Sequence, residues 1–485
     1  MAERTRLRRQ LKPWEALALS IGLMAPTLAM ALNGPLPSSR VGAKVPLVFV
    51  IGFLGVILVA YGFVRLTRYF NHAGSVYALA GKTLGPRAGF FSGFTLLGVY
   101  VSFTICSLAA TALFFSGFLA DVGIHAHIPW FAIALAAGLL MLYLNTRPVR
   151  IAARSLLTFE GFGILLIAVL VVVIFARILS GHAPHGQTFA VGATFTPGGI
   201  KFGTLISATV FAFLSWAGFE ASASLGEETT NPRRNIPRSI IGALAISAVF
   251  YIVTMFAETI GFGTNAAGVA AFSGSSNAVS DLAKAYIGGG LATVLSLAAA
   301  GSAFASAMSS GAGAGRMVFA LSRDGFGPAI LSKKSERHGA PVAALIAVFA
   351  VSLVADLVMS LYGTTEVNVY FYYATIGVLG IIVVYAAVAL GTIRFIITRR
   401  ADIPRIELLI PLVGVAYLAY VFYEQLAGVS PPYTVFPYLV AAWCVLGLAA
   451  VVIRPSLARR IGEQLTAEID DPDPAEAGQS AGKAV

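Results

Sequence analysis

Twelve apolar runs, most close to twenty residues long, dominate this chain. They lie at about 15–37, 45–67, 89–120, 128–145, 155–176, 202–226, 239–262, 290–318, 341–362, 368–393, 407–424 and 434–453. A helix needs roughly 20 apolar residues to cross the ~30 Å hydrocarbon layer of a bilayer. Short alternating segments of the kind that build a membrane β-barrel do not occur. The reading is an all-α polytopic membrane protein with 12 transmembrane helices. Only 11% of residues are charged and 58% are hydrophobic, against about 25% charged in a soluble domain. That balance excludes a soluble enzyme, a secreted disulfide scaffold, a nucleic-acid binder and a disordered chain.

Loop charges test the count. All but five of the 33 basic residues fall on one side of the twelve-span topology; the exceptions are Arg40, Lys44, Arg177, Lys201 and Lys284. The positive-inside rule places that side, and with it both termini, in the cytoplasm. The net charge of +11 is then an orientation signal. The cytoplasmic (inner) membrane is the expected location. Cys106 and Cys444 lie far apart in apolar runs and read as small hydrophobes. The histidines fall in polar connections, and no metal or nucleotide motif is present, so no cofactor is expected.

Two runs are interrupted. In the first, Met24, Ala25, Pro26 and Thr27 sit mid-span, and proline removes a backbone donor. In the sixth, Ser215, Trp216, Ala217 and Gly218 sit centrally, flanked by Phe213 and Phe219. These runs are five spans apart, as in a five-plus-five inverted repeat whose broken helices line a midplane site. A broken helix offers free carbonyls to an ammonium, and free N–H groups with a positive dipole end to a carboxylate. Trp216, Phe219 and Phe213 are candidate gates over such a substrate.

Acids inside apolar runs are expensive and mark function by default. Glu160 lies six residues, about 9 Å, past Arg154 in the fifth span. Glu220 follows the break in the sixth. Both are candidates for ion coupling or for structural hydrogen bonding. Glu258, near the outer end of span seven, reads as a snorkelling residue. Ser306, Ser309 and Ser310 share one face of span eight. They suit close helix packing or oxygen ligation of a sodium ion.

Three segments resemble the amino acid–polyamine–organocation permeases. Gly218-Phe219-Glu220 followed by Glu227-Glu228-Thr229-Thr230-Asn231-Pro232-Arg233-Arg234-Asn235-Ile236-Pro237-Arg238-Ser239-Ile240 is similar to that family's sixth helix and following loop. Arg316-Met317-Val318-Phe319-Ala320-Leu321-Ser322-Arg323-Asp324-Gly325-Phe326-Gly327-Pro328 resembles its segment after helix eight. Ala73-Gly74-Ser75-Val76-Tyr77-Ala78 with Leu84-Gly85-Pro86 resembles its connection between helices two and three. The resemblance covers about residues 14 to 455. It implies the LeuT-type fold, alternating access, and a substrate site at Met24, Ala25, Pro26, Thr27, Phe213, Ser215, Trp216, Ala217, Gly218 and Phe219. It also matches Ser306, Ser309 and Ser310 to the sodium region of sodium-driven relatives. Two departures stand out. The usual Gly-Ser/Ala-Gly break is Ala25-Pro26-Thr27 here, and Glu160 stands where several members carry a lysine.

The expectation is a non-enzymatic secondary transporter for amino acids or related amines. It would be coupled to H+ or Na+ and would bind no nucleic acid. Residues 1–13 form a cytoplasmic arm, 14–400 the ten-helix core, 401–455 helices eleven and twelve, and 456–485 a cytoplasmic tail. An exchanger, a polyamine permease and a non-transporting solute receptor are the competing readings.

Overall fold

A residue before proline is pushed out of the right-handed helical region, and this rule places the first break. In the computed structural model, α1 (Pro13–Met24) ends at Ala25, which is left-handed at φ 46 and ψ 61, and α2 (Pro26–Leu32) begins at the proline. At the first helical position the missing N–H of Pro26 costs nothing, because that donor has no intrahelical partner anyway. The structure describes residues 12–466 except 71–74, 126, 148, 226–228, 324, 334, 336–339 and 399–402, and for 75, 149–157, 224–225 and 464–466 the backbone alone. Arg4, Arg6, Arg8, Arg9, Glu227, Glu228, Asp324 and the end of the tail therefore lie outside the described residues.

The chain continues through α3 (Pro35–Val41), α4 (Val45–Leu66), α5 (Ser75–Leu84), α6 (Pro86–Asp121), α7 (Trp130–Asn145), α8 (Val149–Leu179) and the short α9 (Val191–Phe195). The sixth span is α10 (Phe202–Trp216), interrupted at Ala217 and Gly218 and resumed as a 3-10 helix, Phe219–Leu225. Then come α11 (Pro232–Phe262), α12 (Ala266–Gly274), α13 (Ala278–Tyr286), α14 (Gly289–Arg323), α15 (Val342–Leu361), α16 (Glu366–Ile397), α17 (Leu409–Ala427), α18 (Phe436–Ile453) and α19 (Pro455–Thr466).

Among the described residues, eleven helical segments are long and apolar enough to span a bilayer. The twelfth run is α7, apolar but only 16 residues long. Each expected span has its helix, and both expected breaks are present. The fold is thus an all-helical polytopic bundle with broken first and sixth spans, consistent with the LeuT-type five-plus-five arrangement. Side chains such as Leu139, Val172, Val249, Val354 and Val452 are apolar yet exposed. On a soluble protein so much outward apolar surface would drive aggregation; here it faces lipid.

Some elements were not legible in advance. Asn265 and Asn277 cap α12 and α13, each side chain accepting a first-turn N–H, from Gly268 and Ser280. This pair covers the end of the bundle remote from the basic loops. The stretch read as the start of the tail instead forms α19, whose Ala458 and Ile461 are buried where it packs along α6, α5 and α18. Gly462 allows that approach, because a Cβ there would fall 1.9 Å from the Pro86 carbonyl oxygen.

Candidate functional site

The two interruptions face each other. Gly218 has φ 104, a conformation glycine adopts freely, and a Cβ on it would lie 3.2 Å from the Leu23 side chain. Ser20 of α1 ties the halves together. Its hydroxyl donates to Phe219 O at 3.0 Å and accepts from Ser222 N at 3.0 Å. The broken first span thus supplies a capping group to the broken sixth.

A cavity of about 360 Å³ lies at this junction. Leu23, Met24, Ala25 and Leu28 line it from the first span, and Leu214, Ala217, Gly218 and Glu220 from the sixth. Tyr77, Tyr100, Phe103 and Tyr370 supply aromatic walls. Its lining runs on to Asn145 and to the exposed Arg316, at the end of the bundle that carries the basic loops. At the other end three buried residues close it. Asn33 donates to Ser215 Oγ at 2.8 Å and accepts from the Tyr370 hydroxyl at 2.7 Å. Ser215 in turn donates to Phe211 O at 3.0 Å.

The sequence-derived candidates divide accordingly. Met24, Ala25, Ala217 and Gly218 line the cavity. Ser215 stands behind it as part of the closure. Trp216 points away: it is fully buried, its ring packs against Phe49, Phe53 and Tyr251, and its Nε1 donates to Ser247 Oγ at 3.0 Å. Phe213 stacks on Tyr417, and Phe219 packs against Phe63 and Tyr385. Pro26 and Thr27 are buried at the start of α2, where it packs against α8 and α14, and are not part of the cavity wall.

That last contact involves Glu160. Its Oε1 accepts the Thr27 N–H at 2.7 Å, while Ser302 Oγ accepts the Leu28 N–H at 3.1 Å. One turn along α8, Gly163 lets α2 approach, since a Cβ there would lie 2.3 Å from Thr27 Oγ1. Glu160 therefore acts as an N-terminal cap delivered from another helix. Glu220 lies beside the second break, where it accepts the Tyr385 hydroxyl at 2.8 Å. Ser306, Ser309 and Ser310 all line the cavity. Ser306 accepts from Ser107 at 3.0 Å, and Ser310 donates to Ser306 O at 2.8 Å.

Sequence reasoning missed Ser302, one turn before Ser306 on the same stripe, and the Asn33–Ser215–Tyr370 closure. It also passed over a fourth acid in an apolar run, Asp356 of α15, which is fully buried. Glu258 does not snorkel: it is 1% exposed.

A broken-helix cavity inside a lipid-facing bundle, closed at one end and lined at the other by residues reaching solvent, is the construction of a membrane permease for small solutes. The chain belongs to the amino acid permease family, whose sequence profile matches residues 15–425. It is similar to the branched-chain amino acid permease BcaP of Bacillus subtilis, 26% identical over 70% of this chain and 72% of that one. It is also similar to the methylthioribose transporter of Bacillus subtilis, at 26% identity over 52% of this chain and 55% of that one. The low-affinity putrescine importer PlaP of Escherichia coli is 23% identical over 74% of this chain and 77% of its own length.

Proposed function

We propose that the protein is a secondary active transporter that carries an amino acid or related amine across the cytoplasmic membrane by alternating access, driven by protons. The observation that supports this best is the cavity between the two breaks. It reaches the basic end of the bundle, and the Asn33–Ser215–Tyr370 hydrogen bonds seal it from the other. With the basic end in the cytoplasm, as the charge asymmetry favours, this is an inward-facing state and both termini are cytoplasmic.

The ammonium is the substrate group best matched to this site. The C-terminal ends of α1 and α10 direct carbonyls and the negative end of the helix dipole towards the cavity. N–H groups are scarcer at the first break. Pro26 has none, and Thr27 and Leu28 give theirs to Glu160 and Ser302. Carboxylate recognition by bare N–H groups of helices one and six, the first expectation from sequence, therefore requires Glu160 and Ser302 to release those of helix one. This favours a second reading in which an amine without a carboxylate is preferred. Proton coupling is assigned to Glu160, which accepts the Thr27 N–H at the start of α2. Sodium at Ser306, Ser309 and Ser310 is the competing coupling.

The test is uptake into proteoliposomes under imposed proton or sodium gradients, using matched pairs of amino acids and their decarboxylated amines. Proton-driven accumulation of either member supports the reading. A solute that binds but never crosses would make the protein a receptor and end the transport proposal.

A further inference from the structure

Glu258 lies in α11 with both carboxyl oxygens buried and, among the described residues, without any hydrogen-bond partner. It is therefore unlike Glu160 and Glu220, which accept from the Thr27 N–H and the Tyr385 hydroxyl. Its surroundings include the chain that follows α2. A Cβ on Gly34 would lie 3.1 Å from Glu258 Oε2 and 2.5 Å from the Phe272 ring. The carboxyl thus rests against the backbone of the residue that follows Asn33, and Asn33 is the centre of the closure.

Among the described residues no charged side chain pairs with it. On its own helix Tyr251, two turns towards the break, is buried, and its hydroxyl has no hydrogen-bond partner among the described residues. Tyr286 of α13 bonds Gly261 O at 3.1 Å, three residues further along α11. Asp281 of α13 accepts from Ser275, and Lys284 pairs with Asp121. Arg40 of α3 is held over Phe211 and Tyr433. Neither α2 nor α12 carries a titratable side chain.

We propose that Glu258 is a proton-binding site that governs the closure: the carboxyl must carry a proton for the Asn33–Gly34 segment to pack down on α11, and it gives that proton to water when the segment lifts. An unpaired carboxylate in a buried site is far more costly than the neutral acid, so closing the seal selects the protonated form. By linkage, binding the proton favours the closed seal to the same degree. A hard cation is a poor alternative occupant, because it needs several oxygen ligands. Among the described residues no three His, Cys, Asp or Glu side chains stand together. The proposal rests on the alternating-access reading of the cavity, but not on which ion drives uptake.

The test uses one reporter thiol on the cavity wall. Ala312→Cys is placed in a Cys106→Ser, Cys444→Ser background and reacted with a membrane-impermeant thiol reagent from the end opposite the basic loops. Thiol reactivity itself changes with pH, so every rate is divided by that of the Glu258→Gln protein at the same pH. We expect the ratio of native to variant to rise about tenfold between about pH 5 and about pH 8, as the native seal opens on losing its proton. The ratio should keep that rise when Glu160→Gln is added to both proteins. Reaction of the Gln protein at the native rate from the basic end checks that it is folded, and Glu258→Asp should restore part of the pH response. A ratio that stays flat with pH overturns the proposal, as does a rise that follows sodium at constant pH. Because labelling needs no substrate, a failure of uptake for every amine and amino acid would count against the transport reading alone.

Discussion

Asn33→Ala should shift this protein towards a state open at the end remote from the basic loops. The substitution removes two buried hydrogen bonds, to Ser215 Oγ and from the Tyr370 hydroxyl. Each is worth about 0.5–1.5 kcal/mol net. Ser215 keeps its bond to Phe211 O, so it remains satisfied. Tyr370 does not: its hydroxyl is left without an acceptor at a residue only 2% exposed, which adds to the cost of the closed state. The closed state then loses about 2 kcal/mol, while the open state, where water reaches these groups, loses almost nothing. That difference multiplies the open population roughly thirty-fold. Tyr370→Phe removes one of the two bonds and should give about 1 kcal/mol, roughly fivefold. The readout is the rate of labelling Ala312→Cys from that end, in the cysteine-free background. If both variants melt at the native temperature and label at the native rate, the three residues are not the seal and the argument is wrong.

Glu160→Gln keeps an oxygen for the Thr27 N–H, so the protein should fold. Uptake driven by a proton gradient should fall more than about tenfold, while substrate exchange without a gradient persists; equal loss of both would refute the coupling role. Glu160→Ala leaves the Thr27 N–H unpaired and should cost about 1–3 kcal/mol of stability, read as a lowered unfolding temperature. Trp216→Phe should lower stability by about 1 kcal/mol through loss of the Ser247 hydrogen bond yet leave the substrate KM within about twofold; a large KM change would return Trp216 to the substrate path. Gly218→Ala places a Cβ 3.2 Å from Leu23 on a residue at φ 104, a strain of about 1–3 kcal/mol at the break. Transport should be lost before expression is, measured as uptake per folded molecule.

The breaks, the span count and the stripe of serines on α14 were legible because each rests on a local rule. Proline excludes a helical residue before it, a span needs a fixed apolar length, and residues three and four apart share a face. What stayed hidden depended on contacts distant in sequence. Glu160 stood out as an acid, but its partner Thr27 is 133 residues away. Asn33, at the end of α2, has partners 182 and 337 residues away. Trp216 illustrates the opposite failure. Its place beside Gly218 suggested a gate, but the last turn of α10 rotates its ring onto Phe49 and Tyr251. Position along the chain locates a break without saying which neighbouring side chains turn into the space it creates.

Backbone accounting also explains why the first break can serve coupling. A helix interrupted in a low-dielectric interior must find partners for its freed N–H groups. Here Pro26 removes one donor, and two side chains from two other helices, Glu160 of α8 and Ser302 of α14, take the next two. The start of α2 is therefore fastened to α8 and α14, while its far end is fastened to α10 and α16 through Asn33. Opening at the far end breaks only the Asn33 bonds if α2 stays with α8 and α14. The bond to a charged acceptor is about twice as strong as one to a neutral acceptor. On the proposed proton coupling, the protonation state of Glu160 would set how tightly the start of α2 is held to α8. A proton at Glu160 and a proton at Glu258 would then act on opposite ends of the same seven-residue helix, and that short lever is where ion binding would meet the gate.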